Sequence, residues 1–122
     1  MIEVALVFGQ KGKTMYWHDT PYASISYIPD STELWNFIWQ NKDDILGIAH
    51  THPHRGTPFP SHEDITTFEA MEQGLGKSFL WPIVSIDKGI IIGRINGSGW
   101  HQKNMPDGYL QDVNELRQRS GF

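Results

Sequence analysis

His50-Thr51-His52-Pro53-His54-Arg55-Gly56-Thr57-Pro58-Phe59-Pro60-Ser61-His62-Glu63-Asp64 is the stretch that decides how the rest of this 122-residue chain is read. It holds two histidines one residue apart, then a serine and an aspartate three apart. The residues before it, Asp44-Ile45-Leu46-Gly47-Ile48-Ala49, are mostly apolar and predict a buried strand over 45–50. Side chains on a strand alternate faces, so His50 and His52 point the same way and their imidazoles can meet on one ion. Pro53 has no N–H to offer a ladder and marks the strand's end. Gly56, Pro58 and Pro60 predict a stiff loop. Ser61 then caps a helix whose first turn carries Glu63 and Asp64. Asp64 shares a helical face, or the cap itself, with Ser61 and can supply a third ligand. Two histidines and one carboxylate leave the fourth position of a tetrahedral zinc open for water.

Other metal chemistries fit less well. The chain has no H-E-x-x-H, which excludes the helical zincin arrangement. The H-x-H-x-D-H pattern of binuclear hydrolases fails because Pro53 and His54 are followed by Arg55. Two histidines and a carboxylate also suit non-haem iron(II), which stays open at this point. The bland alternative is a pair of ordinary loop histidines. Ser61 and Asp64, following in register, argue against it.

Composition bounds the rest. A chain of this length is read as one domain, residues 1–122, with a sizeable core. Apolar content of 39% with 20% charged residues marks a folded globular protein. The net charge of −4, with no basic cluster, argues against a nucleic-acid partner. There are no cysteines, so histidines and carboxylates must serve any zinc site. Met1-Ile2-Glu3 has neither the basic region nor the apolar core of a signal peptide. No apolar run approaches membrane-spanning length. A cytoplasmic location without membrane contact is the expectation. The five tryptophans are read as core or surface aromatics rather than a cofactor box.

In chain order, residues 2–9 and 14–18 predict a hairpin around Gln10–Lys13. Tyr22 to Ile28 predicts a third strand. Asp30 or Ser31 caps a helix running to about Lys42, with Leu34, Trp35, Ile38 and Trp39 on one face. The motif strand follows. A second helix runs from Ser61 to about Gln73, with Ile65, Phe68 and Met71 or Ala70 inward, and Gly74-Leu75-Gly76 ends it. Phe79–Ile86 and Gly89–Asn96 read as a hairpin joined by Asp87-Lys88. His101 to Pro106 reads as polar loop. Tyr109 to Arg119 reads as a last helix. The order β-β-β-α-β-α-β-β-(α) predicts an α/β (α+β) fold, one mixed β-sheet flanked by helices.

His-Thr-His-Pro, a proline-containing loop and Ser-x-x-Asp together resemble the motif of the JAMM (JAB1/MPN+) metallopeptidases, in a small prokaryotic-type JAB domain. Eight residues, Pro53 to Pro60, separate His52 from Ser61, one more than the family's usual form. The resemblance covers most of residues 2–98. It implies zinc (Zn2+) on His50, His52 and Asp64, with Ser61 stabilising the tetrahedral intermediate. It implies a glutamate general base from an early segment. The family's E-x-x-G-x-L-x-G strand aligns approximately with Glu3 to Gly9, although Gly9 comes one residue early and the middle glycine is absent. Without the family, Glu3 reads as a frayed terminal charge. Glu33 and Glu63 compete for the role; Glu33 is explained by the helix cap, and Glu63 faces elsewhere. His54 and His62 read as exposed. The family usually carries a helix before its first strand; here that helix is missing or replaced by a couple of residues. The implied fold is the JAB/MPN architecture, which is cytidine deaminase-like. The implied activity is hydrolysis of an amide or isopeptide bond, on the tail of a ubiquitin-like protein or on a short extended peptide. The competing function is a non-catalytic MPN-type interaction module, though such relatives have usually lost ligands that this chain keeps.

Overall fold

The strand that leads into the motif lies inside a single sheet. The computed structural model describes residues 2–19, 32–94 and 99–122. Its strands are β1 (Ala5–Phe8), β2 (Thr14–His18), β3 (Gly47–Thr51), β4 (Trp81–Val84), β5 (Gly89–Arg94) and β6 (Trp100–Asn104). Its helices are α1 (Thr32–Asn41), α2 (His62–Leu75) and α3 (Val113–Ser120). The spatial order is β2-β1-β3-β4-β5-β6. Only the β3–β4 pair among these neighbours is parallel, and α2 makes the crossover between them. This is the mixed α+β sheet that the order of elements predicts.

Period-two alternation sends the two sides of the sheet to different helices. Ala5, Val7, Ile48, Ile83, Ile90 and Ile92 pack with Leu34 and Ile38 of α1 and with Phe68, Met71 and Leu75 of α2. Leu6, Phe8, Ala49 and Val84 pack on the other side with Leu110 and with Leu116 of α3. In α1 the buried pair Leu34 and Ile38 lies one turn apart, while Trp39 is exposed. Helix α2 is docked by the buried Glu72, which accepts from the Phe79 amide and Trp81 Nε1, each at 2.9 Å, and from Arg94 Nε at 3.0 Å. A buried carboxylate needs such donors. Among the described residues no helix is long and apolar enough to cross a membrane.

Several expected boundaries move. The strand at 22–28 and the caps Asp30 and Ser31 lie outside the described residues. His101 to Asn104, read as loop, belongs to β6, paired with β5 from Ile90↔Asn104 to Arg94↔Trp100. An edge strand with exposed side chains shows no apolar alternation, so its backbone pairing leaves no mark in the sequence. The β4–β5 connection takes four residues, Ser85 to Lys88, rather than two. Ser85 closes it, since its Oγ accepts from the Lys88 amide at 3.1 Å. The last helix starts at Val113; Tyr109 instead meets Phe8 edge to face at 5.9 Å.

Gly47 opens β3 where the chains come closest. A Cβ there would sit 2.0 Å from the Leu80 carbonyl oxygen and 2.8 Å from Phe8 Cζ. A backbone oxygen cannot rotate away. Gly47→Ala is therefore expected to destabilise the fold by at least ~1–3 kcal/mol, read as a lower denaturation midpoint. An unchanged midpoint would mean that β3 and Leu80 can part at no cost.

Candidate metal centre

The pairing of β1 with β3 sets the geometry. Ala5 lies opposite His50 in antiparallel register, and the Thr51 amide bonds the Val4 carbonyl at 3.0 Å. Continuing that register puts Glu3 across from His52. Beyond the strand, the His52 amide still bonds the Val84 carbonyl at 2.9 Å, so both histidines are held by backbone on either side. His50 is fully buried and His52 half-buried. The His50 ring meets Phe68 at 6.0 Å and 65°, and Phe68 stacks on Trp81 at 4.3 Å. Phe68 is one turn after Asp64 on α2, so one helix presents a carboxylate and backs an imidazole.

Three polar atoms converge. His50 Nε2 and His52 Nε2 are 3.1 Å apart, and Asp64 Oδ2 is 3.0 Å from His52 Nε2 and 3.5 Å from His50 Nε2. Ligand atoms at zinc bond lengths in a tetrahedron stand about 3.4 Å from one another, so this triangle has the right size. Glu3, His50 and His52 also offer ligand atoms all within 4.8 Å of one another and could hold a metal ion. The two carboxylates thus approach the histidine pair from different elements. The donor set, imidazole nitrogen and carboxylate oxygen, suits zinc. His50 Nδ1 is buried without a hydrogen-bond partner among the described residues. That departs from the usual ligand histidine, whose second nitrogen donates to a carbonyl or carboxylate.

The carboxylates differ in character. Burial works against the Asp64 carboxylate, but His50 and His52 beside it and the Ser61 amide hold its pKa far below the ordinary range. Burial pushes the Glu3 pKa up, against the opposing pull of His50 and His52. A carboxylate raised in this way is a stronger proton acceptor than an exposed one.

Ser61 stands at the N-cap of α2 in a reciprocal box. Its Oγ accepts from the Asp64 amide at 3.0 Å, and Asp64 Oδ2 accepts from the Ser61 amide at 2.9 Å. The hydroxyl keeps its own proton for another acceptor. The connecting loop is pinned to the β4–β5 turn. The Ile86 amide bonds the His54 carbonyl, Ser85 Oγ donates to the Gly56 carbonyl at 2.6 Å, and the Gly56 amide bonds Asp87 Oδ1 at 2.9 Å. Gly56, at φ +91°, lets the loop turn here.

His50, His52, Asp64 and Glu3 come together, and Ser61 adjoins them through Asp64. Glu63 is exposed on α2; Glu33 is exposed on α1. His54 and His62 are exposed, as the sequence predicts. Sequence reasoning overlooked Thr51. Alternation alone places it on the side away from His50 and His52, facing α3, and it is fully buried there. A family profile described as prokaryotic homologs of the JAB domain matches residues 4–102. No curated protein matches the chain at a significant level.

Proposed function

The chain belongs to the family of prokaryotic JAB-domain homologs, and from that premise we propose that it is a zinc-dependent hydrolase of an amide or isopeptide bond. The observation that carries this reading is the triangle of His50 Nε2, His52 Nε2 and Asp64 Oδ2, with edges of 3.1, 3.0 and 3.5 Å. Its size suits tetrahedral zinc, and Glu3 stands within reach of both histidines. His50, His52 and Asp64 would hold the ion. When bound, zinc supplies Lewis acidity, lowering the pKa of water towards neutrality and polarising a carbonyl.

The chain's own groups do the rest. The Glu3 carboxylate takes a proton from the attacking water and later delivers one to the leaving amine. Asp64 is committed to the histidines and the Ser61 amide, so neither duty falls to it. The Ser61 hydroxyl donates to the oxygen on which negative charge develops. The substrate class is a protein or peptide tail, with the C-terminal tail of a ubiquitin-like protein as the leading candidate. Metal analysis of protein purified without added metal, paired with cleavage of a ubiquitin-like protein carrying a C-terminal fluorogenic amide, tests the reading. Zinc with cleavage supports it. Zinc-free protein that binds such a tail without cutting it would make the chain an interaction module.

Ser61 separates two roles. Ser61→Ala is expected to keep zinc and lose about 10²-fold in turnover, the scale of a single oxyanion donor. It also removes a helix cap, which costs about 1 kcal/mol of stability. If zinc is lost along with the hydroxyl, Ser61 matters as the cap of the ligand helix and not to the reaction.

A further inference from the structure

Glu3 is held in place from both sides, and the group that does it comes from the far end of the chain. The Ile2 amide bonds the Ser120 carbonyl at 3.1 Å. The Val4 amide bonds Thr51 Oγ1 at 2.9 Å, and the Val4 carbonyl accepts from the Thr51 amide at 3.0 Å. The Thr51 and Ser120 hydroxyls are 2.5 Å apart and share a hydrogen bond. Both residues are buried. Glu3 is the single residue between the two attachments. Its carboxylate has no hydrogen-bond donor among the described residues, so the backbone on each side sets its place.

Helix α3 is itself firmly attached. Arg119 lies over the Trp17 ring at 4.0 Å and pairs with Asp19 and Glu115. Arg117 Nε donates to the Ser85 carbonyl at 2.9 Å, and Leu116 is fully buried. The last turn of α3 is thereby tied to β2, to the β4–β5 turn and to the core. Both Glu3 and α3 lie outside the residues 4–102 that the family profile matches.

We propose that Thr51 and Ser120 are positioning residues for Glu3, α3 clamping the first residues of the chain so that the carboxylate stands over the two histidines. Thr51 serves two faces at once: its neighbours in the chain face the metal, and its hydroxyl fastens the segment that carries the base. A proton-transfer group must sit within hydrogen-bond reach of its partner, and small displacements cost rate steeply. The inference rests on the assignment of Glu3 as the proton carrier made above.

The test is geometric and uses the full chain loaded with cobalt(II) in place of zinc. Nuclei near the paramagnetic ion are shifted in the NMR spectrum, with an effect that falls steeply with distance. In the parent, the His50 and His52 rings and the Glu3 side chain should all be shifted. In Thr51→Val and in Ser120→Ala the histidine shifts should persist while the Glu3 shift shrinks or splits. Thr51→Ser, which keeps the hydroxyl, should restore it. Ser120→Ala removes one hydroxyl only and decides the matter if Thr51→Val does not fold. A Glu3 shift unchanged in Ser120→Ala and Thr51→Val overturns the clamp. A shrunken shift alongside full activity of Glu3→Gln upholds the clamp and sinks the proton role instead. Histidines unshifted in the parent would mean that cobalt binds elsewhere, and the inference fails with the metal centre.

Discussion

His52→Ala is expected to yield a folded protein that no longer holds zinc. The His52 side chain is 13% exposed against 0% for His50, so its removal leaves a space that water can reach. His50→Ala should lose the metal too, but it also removes a fully buried ring from its contact with Phe68. The parent should carry about one zinc per chain, the count that one tetrahedral set of this kind supports. Zinc at about 100 times its Kd should stabilise the parent by about 2.7 kcal/mol, and a chelator should take that away. Neither addition nor chelation should move the melting point of His52→Ala. Asp64→Asn identifies the third ligand, since the amide oxygen can still accept from the Ser61 amide and keep the cap. Zinc affinity should fall in Asp64→Asn and stay in Glu3→Gln. The opposite order would make Glu3 the ligand, and parental affinity in both histidine variants would put the site elsewhere.

Glu3→Gln should fold, bind zinc as the parent does and lose roughly 10²–10⁴ in cleavage rate. The amide matches the carboxylate in shape but cannot take up a proton. Two observations place Glu3 in reach. Its ligand oxygen lies within 4.8 Å of both imidazole nitrogens, and the β1–β3 register, continued two residues before Ala5, sets it opposite His52. The loss should appear in kcat with KM little changed, because the proton is moved only in the reaction. Full activity in Glu3→Gln would leave Glu63, whose charge Glu3 feels from the start of α2, as the next carboxylate to replace.

The centre of the molecule was legible because its signals are local. Alternation puts His50 and His52 on one face, and Ser61 with Asp64 three residues on announces a capped helix. Both survive in the structure because neither depends on distant chain. Glu3 was different: by its own sequence it is a charge near an end, and only pairing with a strand more than forty residues away turns it towards the histidines. Strand β6 leaves no alternation to read because His101-Gln102-Lys103-Asn104 is exposed, with only Trp100 packing partly against the core, and the segment owes its conformation to backbone bonds with β5. The turn at Ser85–Lys88 reads as two residues because a side-chain hydrogen bond, not a glycine, shapes it. The Thr51–Ser120 contact joins residues 69 apart and leaves no periodic trace.

The place of β3 between β1 and β4 also bears on how quickly the chain reaches this state. The β1–β2 and β4–β5 hairpins each close over a few residues and can assemble early. β3 has no such neighbour. It must meet β1 across about 40 residues and β4 across about 30, the slow kind of encounter in which chain entropy is lost before any contact rewards it. The inserted strand is the one that carries His50 and His52. An ion held by His50, His52 and Asp64 would then be captured at the end of folding, after the two hairpins have been bridged.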